Sequence, residues 1–191
     1  MAEAGTLHDA IRDELMDVYD AERQLTNALP KLARAATNPA LRTAFEDHLE
    51  ETRTHITRLE QVFSSLETEA AGRYCTGIAE IIEEGEAFID EDLDDVTRDA
   101  CLISAGQRAE HYEMAVYGTL VAWARAAGLT EATELLKRTL EEEKAADLKL
   151  TALAEEGINV GAVPVDDDDR GEMTAAAASV KSTIARRTSD G

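Results

Sequence analysis

Four stretches of the chain place acidic residues in the middle of a stripe that is otherwise mostly apolar. The first stripe reads Leu7, Ile11, Leu15, Val18, Glu22, Leu25, Leu29, and the second Leu41, Phe45, His48, Glu51, His55, Leu59, Val62. The third reads Ala100, Ile103, Gln107, Glu110, Met114, Tyr117, Val121, and the fourth Leu136, Leu140, Glu143, Asp147, Leu150, Ala154. Steps of three and four keep each series on one face of a helix. A buried ionised carboxylate costs several kcal/mol, against about 5–15 kcal/mol for the net stability of a whole domain. Four such groups in one layer must therefore be protonated, wetted, paired with Arg or bound to a cation. Carboxylates with one or two imidazoles suit Fe, Mn or Zn, and a shared carboxylate layer suits two divalent ions about 3.5–4 Å apart.

The elements that would carry these residues follow from caps and breaks. Thr6, with Asp9 three residues on, starts a first helix that runs to about Ala36, with Pro30 expected to kink it near its end. Asn38 caps a second helix with Pro39 at its first position, continuing to about Ser65. Residues 66–93 form a connection with a short helix of its own over 78–89. A third main helix starts at Asp94 or Asp95 and runs to about Ala127. Gly128 stops it, Thr130 caps the next, and that one ends near Gly157.

Register then brings the acids to one depth. Glu22 lies 15 residues before the turn near residue 37, and Glu51 lies 14 after it. Glu110 with Asp147, and Glu113 with Glu143, straddle the turn near 128–129 almost equally. Each lies roughly 20 Å from its turn at about 1.5 Å per residue. The 28-residue connection is longer than a hairpin needs and can cross the length of the bundle, starting the third main helix parallel to the second. The fold class expected is all-α: a ferritin-like four-helix bundle with one long crossover containing a short helix. The bundle should occupy residues 1–162. Residues 163–191, acidic and then Ala-rich, read as a mobile tail with a transient helix near 175–184.

Composition narrows the partners. Forty acidic against nineteen basic residues gives a formal charge of −21, which opposes binding to nucleic acid or to an anionic membrane. Only five basic residues are Lys, and an acidic, lysine-poor surface suits a salt-rich cytoplasm. No window has the apolar length of a membrane span, and the first residues lack signal-peptide character, so a cytoplasmic location is expected. Cys75 and Cys101 read as buried free thiols.

Several segments together resemble the YciF-like family of ferritin-like stress proteins. They are Asp17-Val18-Tyr19-Asp20-Ala21-Glu22-Arg23-Gln24-Leu25, His48-Leu49-Glu50-Glu51-Thr52, Ala109-Glu110-His111-Tyr112-Glu113 with Tyr117-Gly118-Thr119-Leu120, and Glu141-Glu142-Glu143-Lys144 with Asp147. The resemblance spans about residues 6–160. It implies a rubrerythrin-like bundle, often a homodimer, with a di-iron site. The broader ferritin pattern has His three residues after Glu in two helices. Here those positions are Thr54 and Ala146, while His55 and Asp147 lie four residues on.

On this footing the candidate metal ligands are Glu22, Glu51, His55, Glu110, Glu113, Glu143 and Asp147. Glu22 and Glu110 would be terminal and Glu51 and Glu143 bridging, with His55 and Asp147 completing the set and Glu113 an exchanging alternative. His48 is a rival to His55. Arg108 is placed to pair with one acid, Tyr19, Tyr112 and Tyr117 to bond a ligand, and Glu141 and Glu142 to face solvent. The expected cofactor is two Fe ions, or Mn in the same ligands, acting on peroxide or dioxygen. The alternative is a non-enzymatic stress protein whose acidic layer is structural and which acts through a partner.

Overall fold

The computed structural model describes residues 5–164. Five long helices form in order: α1 (Leu7–Ala35), α2 (Pro39–Ser65), α3 (Thr76–Asp90), α4 (Asp95–Ala126) and α5 (Thr130–Leu153). A π-helical turn (Ala154–Ile158) and a last short helix, α6 (Asn159–Gly161), close the described chain. The expected mobile tail lies outside the described residues from 165 onward. No helix among the described residues is long and apolar enough to cross a membrane.

The helix ends form where short polar side chains satisfy the first free amides. Thr6 and Asp9 make a reciprocal capping box on α1, Asn38 accepts from Ala40 and Leu41 ahead of α2, and Asp94 accepts from Val96 and Thr97 ahead of α4. α1 continues through Pro30 to Ala35. One cap differs from expectation: Leu129, not Thr130, precedes α5, and it makes no side-chain capping bond. The cause is how α4 ends. Gly128, at φ +74°, donates to Arg125 O, and Leu129 N donates to Ala124 O at 2.9 Å. An apolar contact often accompanies that Schellman closure, and Leu129, the residue after the glycine, packs partly buried against the core.

α1 and α2 form one antiparallel hairpin and α4 and α5 the other. α2 also packs on α5, and α1 on α4. The contacts Asp47–Lys149, His55–Glu142 and Arg58–Thr139 hold α2 and α5 antiparallel in constant register. Asp99, in the first turns of α4, accepts from Thr37 N, Asn38 N and the Thr37 hydroxyl. This part-buried knot puts the start of α4 beside the start of α2, so the two run parallel, as the long crossover requires. α3 lies in that crossover against α1 and α4.

The core is two apolar clusters rather than one. Leu25, Leu29, Leu41, Phe45, Leu102 and Leu150 pack at one end, and Leu15, Val18, Leu59, Phe63, Leu120 and Leu136 at the other. Between them lie the buried polar residues of mid-helix: Glu22, His48, Thr52, His55, Glu110, Glu113, Thr139 and Glu143. Apolar packing thus closes the polar layer from both ends. Cys75 is buried, while Cys101 is only partly so, because it sits off the core stripe of α4.

Candidate metal centre

All four main helices deliver side chains to the layer. α1 gives Glu22, α2 gives His48 and His55, α4 gives Glu110 and Glu113, and α5 gives Glu143. They fall into two groups that share Glu143: His48, Glu110, Glu113 and Glu143, and Glu22, His55 and Glu143. In each group one ligand atom per residue lies within 4.8 Å of the others.

Distances show how tightly the groups converge. His55 Nδ1 is 3.0 Å from Glu143 Oε1 and 3.3 Å from Glu22 Oε1. His48 Nε2 is 3.3 Å from Glu110 Oε1 and 3.8 Å from Glu143 Oε2. Even so, most of the facing atoms lack an aligned hydrogen-bond partner. Glu22 Oε2, His55 Nδ1, Glu110 Oε2 and both oxygens of Glu113 and Glu143 are seven of the eight unpartnered buried side-chain atoms among the described residues. Native proteins rarely leave such atoms unmatched. Here they face one another, in the donor set that a divalent cation takes. The residues present fit a divalent metal ion.

The electrostatics agree. Burial pushes the Glu110 and Glu113 carboxyls well above the ordinary carboxylate range; Glu143 raises both, while for Glu110 the neighbouring His48 opposes the rise. Burial also raises Glu22, against the pull of His55. Glu143 is held low: burial opposes its ionisation, but contact with His55 and the charge of His48 outweigh it. Burial would depress both imidazoles. Instead Glu110, Glu51 and Glu143 carry His48 up to about 9, and Glu143 and Glu22 carry His55 up to about 10. The carboxyls of the layer other than Glu143 thus lean toward their protonated forms and its imidazoles toward their charged forms.

A second ring of contacts orients the imidazoles. His55 Nε2 is 3.0 Å from Glu142 Oε2, and Arg58 grips that carboxylate at 2.6 and 3.1 Å while also donating to Thr139. This leaves Nδ1 of His55 for the layer. At the other imidazole, Glu51 Oε2 lies 3.5 Å from His48 Nδ1, while Thr52 turns its hydroxyl back to the His48 carbonyl within the helix. On α1, Glu22 accepts from the buried Tyr117 hydroxyl.

Of the residues singled out in the sequence, Glu22, His55, Glu110, Glu113 and Glu143 lie in the layer, and His48 joins them. Glu51 and Asp147 are not brought into either group. The core face of α2 runs Phe45, His48, Thr52, His55, Leu59, and Thr52 takes the inward place next to Glu51. Glu51 is left half exposed, 3.5 Å from His48 Nδ1. Asp147 turns toward α4, where Gln107 donates to it at 3.1 Å and His111 lies at 3.3 Å. Arg108 points away from the layer and pairs with Glu84 on the surface. Of the three tyrosines, Tyr117 reaches a layer carboxylate, whereas Tyr19 bonds Glu60 and Tyr112 lies 2.9 Å from the Cys75 sulfur. Glu142, read as solvated, is a positioning contact, because Arg58 and His55 meet it from α2.

Known proteins share this arrangement of helices. Residues 6–163 match a family described as a domain of unknown function, DUF892. Protein YciF of Escherichia coli K12 is 47% identical over 155 residues, covering 81% of this chain and 93% of that protein. The crystal structure of the E. coli stress protein YciF superposes with a TM-score of 0.79 at 46% identity, over 82% of this chain and 99% of that one. YcfI from Rhodopseudomonas palustris gives 0.76 at 41% identity, over 77% and 94%. Nearly the whole described bundle, polar layer included, lies in the matched span, and the chain belongs to the DUF892 family, with YciF among its relatives.

Proposed function

We propose that the polar layer is a di-iron carboxylate centre, and that the protein oxidises Fe(II) with peroxide or dioxygen as part of a stress response. The observation that carries this reading is the set of seven unpartnered ligand atoms on five side chains, converging between two apolar plugs. Glu143 belongs to both groups and would bridge. His48, Glu110 and Glu113 would hold one ion, and Glu22 and His55 the other. Bound there, two Fe(II) ions supply the two electrons that reduce peroxide to water. The chain's own part is to exclude bulk water, present each imidazole by a fixed nitrogen, and release bound protons as the metal takes their place. Tyr117, donating to Glu22, holds that carboxylate in one orientation. Mn would take the same ligands.

The stress context comes from the E. coli relative, which is described as a stress protein. The acidic, lysine-poor composition further supports a cytoplasmic protein of a salt-rich cell, and the resemblance to the family a homodimer.

Anaerobic Fe(II) titration of the full chain tests the reading, beside a Glu143→Ala variant. Two ions per chain, lost in the variant while its fold persists, would support it. No stoichiometric iron in the unaltered protein would leave the structural alternative.

A further inference from the structure

The layer is closed at both ends by apolar side chains, and two cavities touch its His48 and Glu110: a narrow one of about 20 Å³ under α3, walled mainly by apolar side chains such as Leu25, Leu29, Ile81 and Ile82, and a wider one on the α2–α5 side. The wider cavity is about 90 Å³. Its inner wall includes His48 and Glu110, both buried, and Glu110 keeps an oxygen with no partner. Glu51 and Lys149 stand at its rim, and Ala44, Ala145 and Ala146 leave it room. One water needs only about 10–15 Å³ of such space, so several waters, or a partly hydrated ion, fit inside.

Glu51 spans the boundary. Its side chain is 49% exposed, yet its Oε2 lies 3.5 Å from His48 Nδ1. Lys149, the cation among the lining residues, is bound at 2.7 Å to Asp47. That pair holds the ammonium at Asp47, so the other charge of the rim, Glu51, faces solvent and His48. A carboxylate that faces solvent on one side and the first imidazole of the layer on the other is suited to capture and relay, not to permanent ligation.

Resting on the metal reading above, we propose that divalent cations enter through the α2–α5 cleft, with Glu51 as the first carboxylate they meet and His48 and Glu110 as the next. The role is one of delivery. Glu51 sets how fast the layer fills, and not how many ions it holds.

Stopped-flow uptake of Co(II) by the metal-free full chain, followed by the visible absorption of bound cobalt, tests this without any turnover. Glu51→Gln, an isostere at an exposed position, should slow loading about tenfold, at the lower end of what local charge does to cation capture. It should leave the ions bound at saturation unchanged. Ala146→Leu, which narrows the cavity, should slow loading as well. Glu84→Gln, an exposed acid on α3, should not. Loading at the unaltered rate in both cleft variants would overturn the proposal. So would a bound ion lost at saturation in Glu51→Gln, since that would make Glu51 a ligand. Failure of the unaltered protein to bind cobalt or iron at all would overturn the metal reading itself, which the rates alone cannot do.

Discussion

Two buried acidic sites sit in this bundle, and they are built in opposite ways. Asp99 meets three donors at the turn between α1 and α2, at 2.6–2.8 Å, so its oxygens are matched and the turn is tied to α4. At mid-bundle the acids meet mainly other acids and two imidazoles, and seven ligand atoms go unpartnered. Both are buried carboxyl sites, and burial alone does not separate them. A carboxylate surrounded by donors is a clamp; several facing one another are a layer waiting for positive charge.

The contrast breaks most sharply under substitution. Asp99→Ala removes the acceptor of two backbone amides and a hydroxyl at a part-buried turn, where water replaces some of the lost bonding, so the cost is about 1–3 kcal/mol in all. Urea unfolding should show a loss of about 1–3 kcal/mol, while metal stoichiometry in the folded fraction stays unchanged. Equal loss of metal would mean that the two sites are coupled.

Proton linkage gives the next effect. His48 and His55 are raised from 6.5 to about 9 and about 10, so the metal-free native state holds more protons than the unfolded chain. Their contribution to stability is complete below pH 6.5 and is lost as pH rises through 9 to 10. The melting temperature of the metal-free protein should therefore fall across that window. Metal binding, which displaces the same protons, should tighten with pH. A flat metal-free profile would place the imidazoles outside the charge balance.

Smaller effects sharpen the picture. Glu142→Gln removes the charge that orients His55, and such outer contacts typically change metal affinity by about 10–100-fold. Competition with a chelator would read it, against an unaltered melting temperature in the metal-free form. Glu113→Gln should be nearly silent in the metal-free protein, within about 1 kcal/mol, since burial already favours its protonated form. The same variant should weaken metal binding, and a large loss of metal-free stability would recast Glu113 as a clamp like Asp99.

Much of this architecture is legible in the sequence because its determinants are local. The Thr6–Asp9 box, the Asn38-Pro39 start and Gly128 each act within one turn of a helix, and the stripes report which face is buried. Glu22, Glu110 and Glu143 stand out because they interrupt those stripes, and Glu113 lies one turn from Glu110 on the same side of α4. α2 was ambiguous for a physical reason: from His48 the next inward position is reached by a step of three, Glu51, or of four, Thr52. Alternating steps through Phe45, His48, Thr52, His55, Leu59 and Val62 favour Thr52, and only a preference for carboxylates points the other way. Asp147 shares that difficulty on α5, where Gln107 and His111 of α4 decide its direction. Glu142, Arg58 and Asp99 are harder still. Their roles exist only once distant helices meet, and nothing in their local spacing marks them.

The crossover helix has a consequence for motion. Only Ile78 and Gly85 of α3 are fully buried, and its ties through Lys31–Glu86 and Arg108–Glu84 are exposed ion pairs, which contribute little. Such a segment should open on its own, well below the free energy that unfolds the four main helices. In native-state hydrogen exchange, the amides of α3 should lose protection first and respond least to added metal. Those of α2 and α5 beside the layer should be among the last to exchange, and the gap between the two sets should widen once the layer is loaded.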